Sequence, residues 1–255
     1  MYGWRGRIGL LVPSINTTME TEFWRMAPQG VSVHVARIAG GRHGTPEELR
    51  GMESASKQAA RDVAMVEPDV VVYGCTSGSF FEGPAWNAKI CEQLAEIAGA
   101  PTVTTAGAMA ACLAGGGHRK VDVVTPYVDL TNERLKQFLK AHDIEVVTLG
   151  TFDMLDMFDH AKIEPGAIYR KVKEITSPRS EAVFVACTQL RALEVLDHLE
   201  RDLGKPVYSA VQASAWQAYQ AMGVDPGIAD CGSLLRKLSE PGAVKQRPGK
   251  VRKSA

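Results

Sequence analysis

Two cysteines carry the strongest chemical signal in the chain. Cys75 ends the run Val70-Val71-Val72-Tyr73-Gly74, Cys187 ends the run Ala182-Val183-Phe184-Val185-Ala186, and a threonine follows each. A thiol that closes a buried strand meets the first amides of any helix that follows. Those amides and the helix dipole favour thiolate and lower the thiol pKa, which yields a nucleophile or a proton shuttle near neutral pH. A single cysteine in an apolar run is ordinarily a small core hydrophobe. Cys91 and Cys112 read that way, and nothing around Cys231 proposes a role. A matched pair at equivalent places is harder to assign to packing.

The match extends outward from the cysteines. Ile8-Gly9-Leu10-Leu11-Val12-Pro13-Ser14 precedes the first, Val121-Asp122-Val123-Val124-Thr125-Pro126-Tyr127 precedes the second, and 62 positions separate Pro13 from Cys75 against 61 from Pro126 to Cys187. A third echo follows each cysteine. Gly99-Ala100-Pro101 and Gly204-Lys205-Pro206 both read as a turn feeding a strand. The chain therefore reads as two copies of one α/β unit. Copies packed about a pseudo-two-fold axis would present Cys75 and Cys187 to each other across a cleft, the geometry for moving protons on opposite faces of one small molecule or for forming a thioether with it.

Polar residues cluster at the same strand ends. Ser14, Asn16, Thr17 and Thr18 follow the first strand, Thr76, Ser77 and Gly78 follow Cys75, and Thr188 follows Cys187. Hydroxyls and free amides at strand-to-helix turns can hold a carboxylate or a developing enediolate. The same residue types cap helices. Thr17 and Thr18 are read as caps, whereas the repeat points Asn16, Thr76 and Ser77 into the shared cleft. Tyr127 holds in the second unit the place of Ser14 in the first, so its phenol is a candidate donor to the same carboxylate. The six histidines show no ligand spacing and Cys-x-x-Cys is absent, so no metal site is expected. Gly40-Gly41-Arg42-His43-Gly44 matches no nucleotide fingerprint and reads as a mobile loop. Arg37, Arg42 and His43 read as solvated surface, with the greeting of an anionic substrate as the alternative.

The elements that must position these groups are legible in outline. Buried strands are expected at Ile8 to Val12, Val31 to Ala36, Val70 to Tyr73, Thr102 to Thr104, Val121 to Thr125, Glu145 to Leu149, Val183 to Ala186 and Val207 to Ser209. Helices are expected between them at Pro46 to Val66, Trp86 to Ile97, Ala106 to Ala114, Asn132 to Ala141, Pro165 to Ile175, Leu190 to Leu203 and Ser214 to Met222. Strictly alternating strands and helices predict parallel sheets covered on both faces, here two sheets of four strands. In such sheets ligands bind beyond the carboxyl ends of the strands. The expected organisation is a first lobe of residues 1–106 plus 213–240, a second lobe of residues 107–212, and a flexible basic tail over residues 241–255.

Composition excludes several classes of function. Hydrophobic residues make up 45% and charged residues 23% of 255 residues, and the formal net charge is zero, which gives no electrostatic case for nucleic acid. Apolar runs are far shorter than a bilayer span, and the opening Met1-Tyr2-Gly3-Trp4-Arg5-Gly6-Arg7 lacks the core of a signal peptide, so a cytoplasmic location without membrane contact is expected. An odd number of cysteines, five, suggests reduced thiols rather than a disulfide framework. Association into a homo-oligomer is left open.

The run Arg7-Ile8-Gly9-Leu10-Leu11-Val12-Pro13-Ser14-Ile15-Asn16-Thr17-Thr18-Met19-Glu20 closely resembles the opening of bacterial maleate cis-trans isomerases, within the aspartate/glutamate racemase superfamily. The segments from Cys75 to Asn87 and from Thr125 to Leu135 are more similar to arylmalonate decarboxylase of the same superfamily. The resemblance implies two flavodoxin-like, that is Rossmann-like, lobes with the active site between them, and chemistry with neither cofactor nor metal. By position, Cys75 resembles the isomerase cysteine that adds to the substrate double bond, Cys187 its partner, and Asn16 and Tyr127 the ligands of a substrate carboxylate. The decarboxylase has glycine at the first cysteine, so Cys75 argues against that activity. Met157 stands where the isomerases carry a substrate-binding asparagine, which makes that side of the pocket more apolar and leaves the second carboxylate site open.

Three functions compete on these grounds. The first is cis-trans isomerisation of a small dicarboxylate, with Cys75 as nucleophile, Cys187 as partner, and Ser14, Asn16, Thr76, Ser77, Tyr127 and Thr188 around the substrate. The second is a two-thiol racemase or a decarboxylase of a substituted malonate, in which both thiols act on one α-carbon. The third is a non-catalytic binding module of paired α/β lobes, which has no use for two matched thiols.

Overall fold

The structure is a computed structural model that describes residues 2–236. Strands β1 (Gly6–Pro13), β2 (Val31–Ile38), β3 (Val70–Tyr73) and β4 (Thr102–Thr104) form one parallel sheet in the order β2-β1-β3-β4. Strands β5 (Lys120–Thr125), β6 (Glu145–Thr151), β7 (Ala182–Val185) and β8 (Val207–Ser209) form a second parallel sheet in the order β6-β5-β7-β8. All eight strands expected from the sequence are present, within two residues at either end. The central strands β3 and β7 are buried at every position, which is why they read as unbroken apolar runs without alternation.

The duplication reaches individual hydrogen bonds. The Asp69 amide donates to the Arg7 carbonyl at 2.8 Å, and the Glu181 amide to that of Lys120 at 2.7 Å. The Gly74 amide donates to the Leu11 carbonyl at 2.7 Å, and the Ala186 amide to that of Val124 at 2.8 Å. Before the fourth strand of each sheet, Gly99 and Gly204 end a helix at φ 64°, a left-handed conformation that a side chain would strain, and a proline two residues on immediately precedes the strand.

Helices α1 (Met19–Met26), α2 (Pro46–Ala64), α3 (Thr76–Phe80), α4 (Pro84–Ala98) and α5 (Thr105–Gly115) serve the first half of the chain, and α6 (Asp129–Lys140), α7 (Pro165–Ile175), α8 (Leu196–Leu203) and α9 (Ala210–Met222) the second. Helices α5 and α9, each following the last strand of its sheet, pack on each other, and α9 also lies on β3 and β4 of the first sheet. Thr104 and Ser209 cap these two helices by accepting from the Gly107 and Gln212 amides. Ser209 and Gln212 form a full capping box, so α9 begins four residues before the expected Ser214.

Two expectations fail locally. Helix α1 was not foreseen. A helix also follows Cys75 at once but not Cys187, where a turn leads to a 3₁₀ segment, Leu193–Val195, and only then to α8. The expected helix from Leu190 is thus shortened. The cause is an alternative set of partners: Gln189 Oε1 accepts from the Thr17 amide at 2.9 Å, Gln189 Nε2 donates to the Ile15 carbonyl at 2.9 Å, and Thr18 Oγ1 donates to the Gln189 carbonyl at 3.0 Å. Those bonds draw the segment across to the first sheet. Among the described residues no helix is long and apolar enough to cross a membrane. The tail from residue 241 lies outside the described residues.

Candidate active site

The carboxyl ends of both sheets open into one cavity of about 500 Å³, its mouth included. Cys75 and Cys187 both line it, as do Ser14, Asn16, Thr76, Ser77, Tyr127 and Thr188, so all eight positions singled out in the sequence meet in one place. Both thiols are almost fully buried, at 5% and 7% exposure. The other wall is apolar. Ile15, Met52 and Met157 line it beside Gly40 and Gly41, and Met157 occupies the side where the sequence suggested an apolar surface.

Each sulfur faces donors. Cys75 is the N-cap of α3, and its Sγ accepts from the Gly78 amide at 3.3 Å with Ser77 Oγ at 3.8 Å. A side chain on Gly78 would collide with the Tyr73 hydroxyl and with Cys75 Sγ, at 2.8 and 3.0 Å, so a glycine is what lets the amide approach the sulfur. Cys187 Sγ accepts from the Gln189 amide at 3.4 Å, and Tyr127 lines the same cavity. The expectation of lowered thiol pKa values is nevertheless wrong. Burial pushes Cys75 up, with the Gly78 and Ser77 hydrogen bonds opposing it, and burial pushes Cys187 up to about 11. Desolvating a thiolate outweighs one or two amide hydrogen bonds, and a five-residue helix has little dipole to add.

Asn16 divides its amide between two tasks. Its Oδ1 accepts from the Thr18 and Met19 amides at 3.0 and 2.9 Å, which caps α1. The caps were expected from Thr17 and Thr18; the longer asparagine reaches both orphan amides from two positions further back, and Thr18 Oγ1 is turned to Gln189 instead. Asn16 Nδ2 donates to Thr188 Oγ1 at 3.1 Å, and Thr188 Oγ1 donates to the Gly74 carbonyl at 3.1 Å. The Thr188 hydroxyl therefore ties the two halves of the molecule together. Its counterpart in the repeat differs: Thr76 Oγ1 is buried with no hydrogen-bond partner among the described residues. Ser14 stands exposed at the mouth, its Oγ donating to the Ile38 carbonyl at 3.0 Å.

Among the described residues no lysine or arginine lines the cavity. Arg37 donates to the Asn16 carbonyl at 2.6 Å and pairs with Glu20, and Arg42 pairs with Asp156 at 2.6 Å outside it. An anion in this cavity would be held by amides and hydroxyls rather than by a fixed positive charge. Burial and the nearby thiols hold the Tyr127 phenol well above its ordinary pKa, so it remains a donor. Two polar cavity residues escaped the sequence reading, His160 and Gln189. Gln189 could have been found, because it stands after Thr188 as Ser77 stands after Thr76. His160 lies on a single 3₁₀ turn, Asp159–Lys162, in a segment without periodicity or counterpart. Among the described residues no group of three or more His, Cys, Asp or Glu side chains is placed to hold a metal ion.

Similarity to known proteins agrees with this geometry. The chain is 27% identical over 243 residues to the maleate isomerase of Geobacillus stearothermophilus, covering 90% of this chain and 96% of that protein. It is 27% identical over 218 residues to the arylmalonate decarboxylase of Bordetella bronchiseptica, covering 85% and 90%. Its fold superposes with a TM-score of 0.86 at 25% identity, over 92% of this chain and 99% of the other, on a mutant Nocardia farcinica maleate cis-trans isomerase in which serine replaces a cysteine and which carries a covalently bound succinylcysteine intermediate. The profile of the arylmalonate decarboxylase family matches residues 8–235. With the match running through both sheets and both strand-end cysteines, the chain belongs to the arylmalonate decarboxylase family.

Proposed function

We propose that the protein is a cis-trans isomerase of a small dicarboxylate of the maleate type, with Cys75 as nucleophile and Cys187 as its proton-handling partner. The observation that carries this is the pair of thiols lining one cavity with the unpartnered Thr76 hydroxyl beside them. The maleate isomerases among its relatives, and the succinylcysteine in one of them, supply the precedent.

The chemistry balances with protons alone. The Cys75 proton passes to an acceptor across the cavity, and the thiolate adds to one alkene carbon. The electron pair displaced onto the neighbouring carbon is delocalised into its carboxylate as an enediolate, held by the α3 amides, Ser77 and Tyr127. Cys187 delivers a proton to that carbon. The former double bond is now single and rotates; removal of the same proton and departure of the thiolate leave the trans alkene. Thr76 Oγ1 is the group best suited to meet a substrate oxygen, since a buried hydroxyl without a partner carries an uncompensated desolvation penalty until something binds it.

A second reading, racemisation or decarboxylation of a substituted malonate, draws support from the wall of Ile15, Met52 and Met157, which suits an apolar substituent better than a second carboxylate. Proton NMR of the purified protein in deuterated water with maleate, a substituted malonate and an α-amino acid separates them. The isomerase forms fumarate from maleate. Carbon dioxide loss from the malonate, or deuterium at the amino-acid α-carbon with maleate untouched, overturns the first reading.

A further inference from the structure

His160 has no role in the scheme above, and its surroundings point to one. The side chain is 2% exposed and lines the cavity. Its Nε2 lies 3.0 Å from the Met154 carbonyl oxygen, which can only accept, so Nε2 carries the hydrogen. In the neutral ring Nδ1 then presents a lone pair, and it faces Cys187 Sγ at 3.8 Å. Hydrogen bonds between catalytic groups are often this long before substrate is bound. Burial keeps His160 below its ordinary pKa against the pull of the Met154 carbonyl, Asp156 and Asp159. At rest the ring is a base.

The other contacts of Cys187 favour the same outcome. The Gln189 amide donates to Sγ, which suits a thiolate, while the proton of the thiol has His160 Nδ1 as an acceptor. Cys75 has the Gly78 amide and the Ser77 hydroxyl and no imidazole. Two thiols placed alike by the repeat are therefore unlike chemically.

We propose that His160 is the positioning residue and proton acceptor of Cys187: the S–H bond breaks toward Nδ1, sulfur keeps the electron pair, and the imidazolium holds the proton until sulfur takes it back. This rests on the reading of Cys187 as the proton-handling partner. The Cys187 thiolate so formed accepts the proton of Cys75, which frees the nucleophile, and later returns it to the substrate carbon. The imidazolium also supplies positive charge to a cavity wall that, among the described residues, holds no lysine or arginine, where a dianion is to bind.

The groups facing the pair are Tyr127 after β5, whose ring centroid is 6.1 Å from that of His160, Asp156 and Asp159 on its own segment, and His43 across the adjoining space from the first half of the chain. The test measures iodoacetamide alkylation of each cysteine against pH by peptide mass spectrometry, in the wild type and in His160→Gln. Glutamine keeps a donor for the Met154 carbonyl and loses the base, so a merely structural histidine is replaced without effect. The expected result at neutral pH is a fall of about tenfold or more in Cys187 alkylation. Wild-type labelling of Cys187 in the variant overturns the proposal. Nitrogen-15 NMR of the wild type provides a check that needs no variant: Nε2 protonated and Nδ1 bare at rest is expected, and the opposite tautomer overturns it. Neither measurement depends on turnover, so a protein that fails to isomerise maleate can still show the pair, and one that isomerises it can still lack it.

Discussion

At the scale of the residue, position and reactivity have different origins. The repeat places Cys75 and Cys187 at one cavity, yet burial raises both thiols where helix amides were expected to lower them. Thiolate forms above the thiol pKa, so alkylation of Cys75 in the free enzyme should still be climbing with pH at pH 9, its ordinary value, as followed by peptide mass spectrometry. A plateau reached by pH 7 would mean that the amides win after all. Thr76 supplies a second prediction. Thr76→Val keeps the shape and removes a buried hydroxyl that has no partner, so the free protein should be as stable as the wild type or up to about 1 kcal/mol more stable, while kcat/KM falls about tenfold or more through loss of a hydrogen bond to a charged oxygen. Thermal unfolding and steady-state kinetics measure the two arms. The eight cavity positions were legible because each stands at a strand end fixed by the repeat. The His160 ring reaches the cavity only through the folding of an irregular loop, which no local spacing encodes.

At the scale of the element, strands were easier to read than short helices. A fully buried strand such as Val70–Tyr73 announces itself by composition. Helix α1 is eight residues long, two turns, too short for periodicity to rise above the polar residues around it. Its existence depends on Asn16 taking the Thr18 and Met19 amides. Asn16→Ala should therefore destabilise the protein by about 1–3 kcal/mol, losing a cap and the bond to Thr188 together. Thr17→Ala at an exposed position should stay within about 0.5 kcal/mol. Equal losses in urea unfolding would return the cap to the threonine. The segment after Cys187 shows the converse effect, because Gln189 and its neighbours satisfy their polar groups across the interface and a helix start gives way to those bonds.

At the scale of the whole molecule, the two halves are joined by polar contacts as well as by packing, and one of these responds to pH. Glu22 on α1 is 3% exposed, accepts from the Leu193 amide of the second half at 3.3 Å, and leaves Oε2 buried without a partner. Burial raises its pKa from 4.5 to about 8, with the Leu193 hydrogen bond opposing. The folded state therefore holds a proton that the unfolded chain releases above its own lower pKa, so this group's contribution is fully present below about pH 4.5 and is lost as pH rises through about 8. Glu22→Gln should remove that dependence and raise stability at pH 8 by an amount on the order of a few kcal/mol, with little change at pH 5, as read by urea unfolding at both values. An unchanged pH profile would show that Glu22 is ionised in the folded protein.

The union of the halves also sets the central test. If one thiol forms the bond and the other moves the proton, Cys187→Ser incubated with maleate should gain the mass of one maleate per chain, localised to Cys75, and Cys75→Ala should lose turnover by about four orders of magnitude or more. Intact-protein and peptide mass spectrometry of Cys187→Ser is the most direct measurement. A maleate-sized increment on Cys75 is the predicted result; an increment on another residue, or fumarate formation by Cys75→Ala at a near-normal rate, would contradict the account.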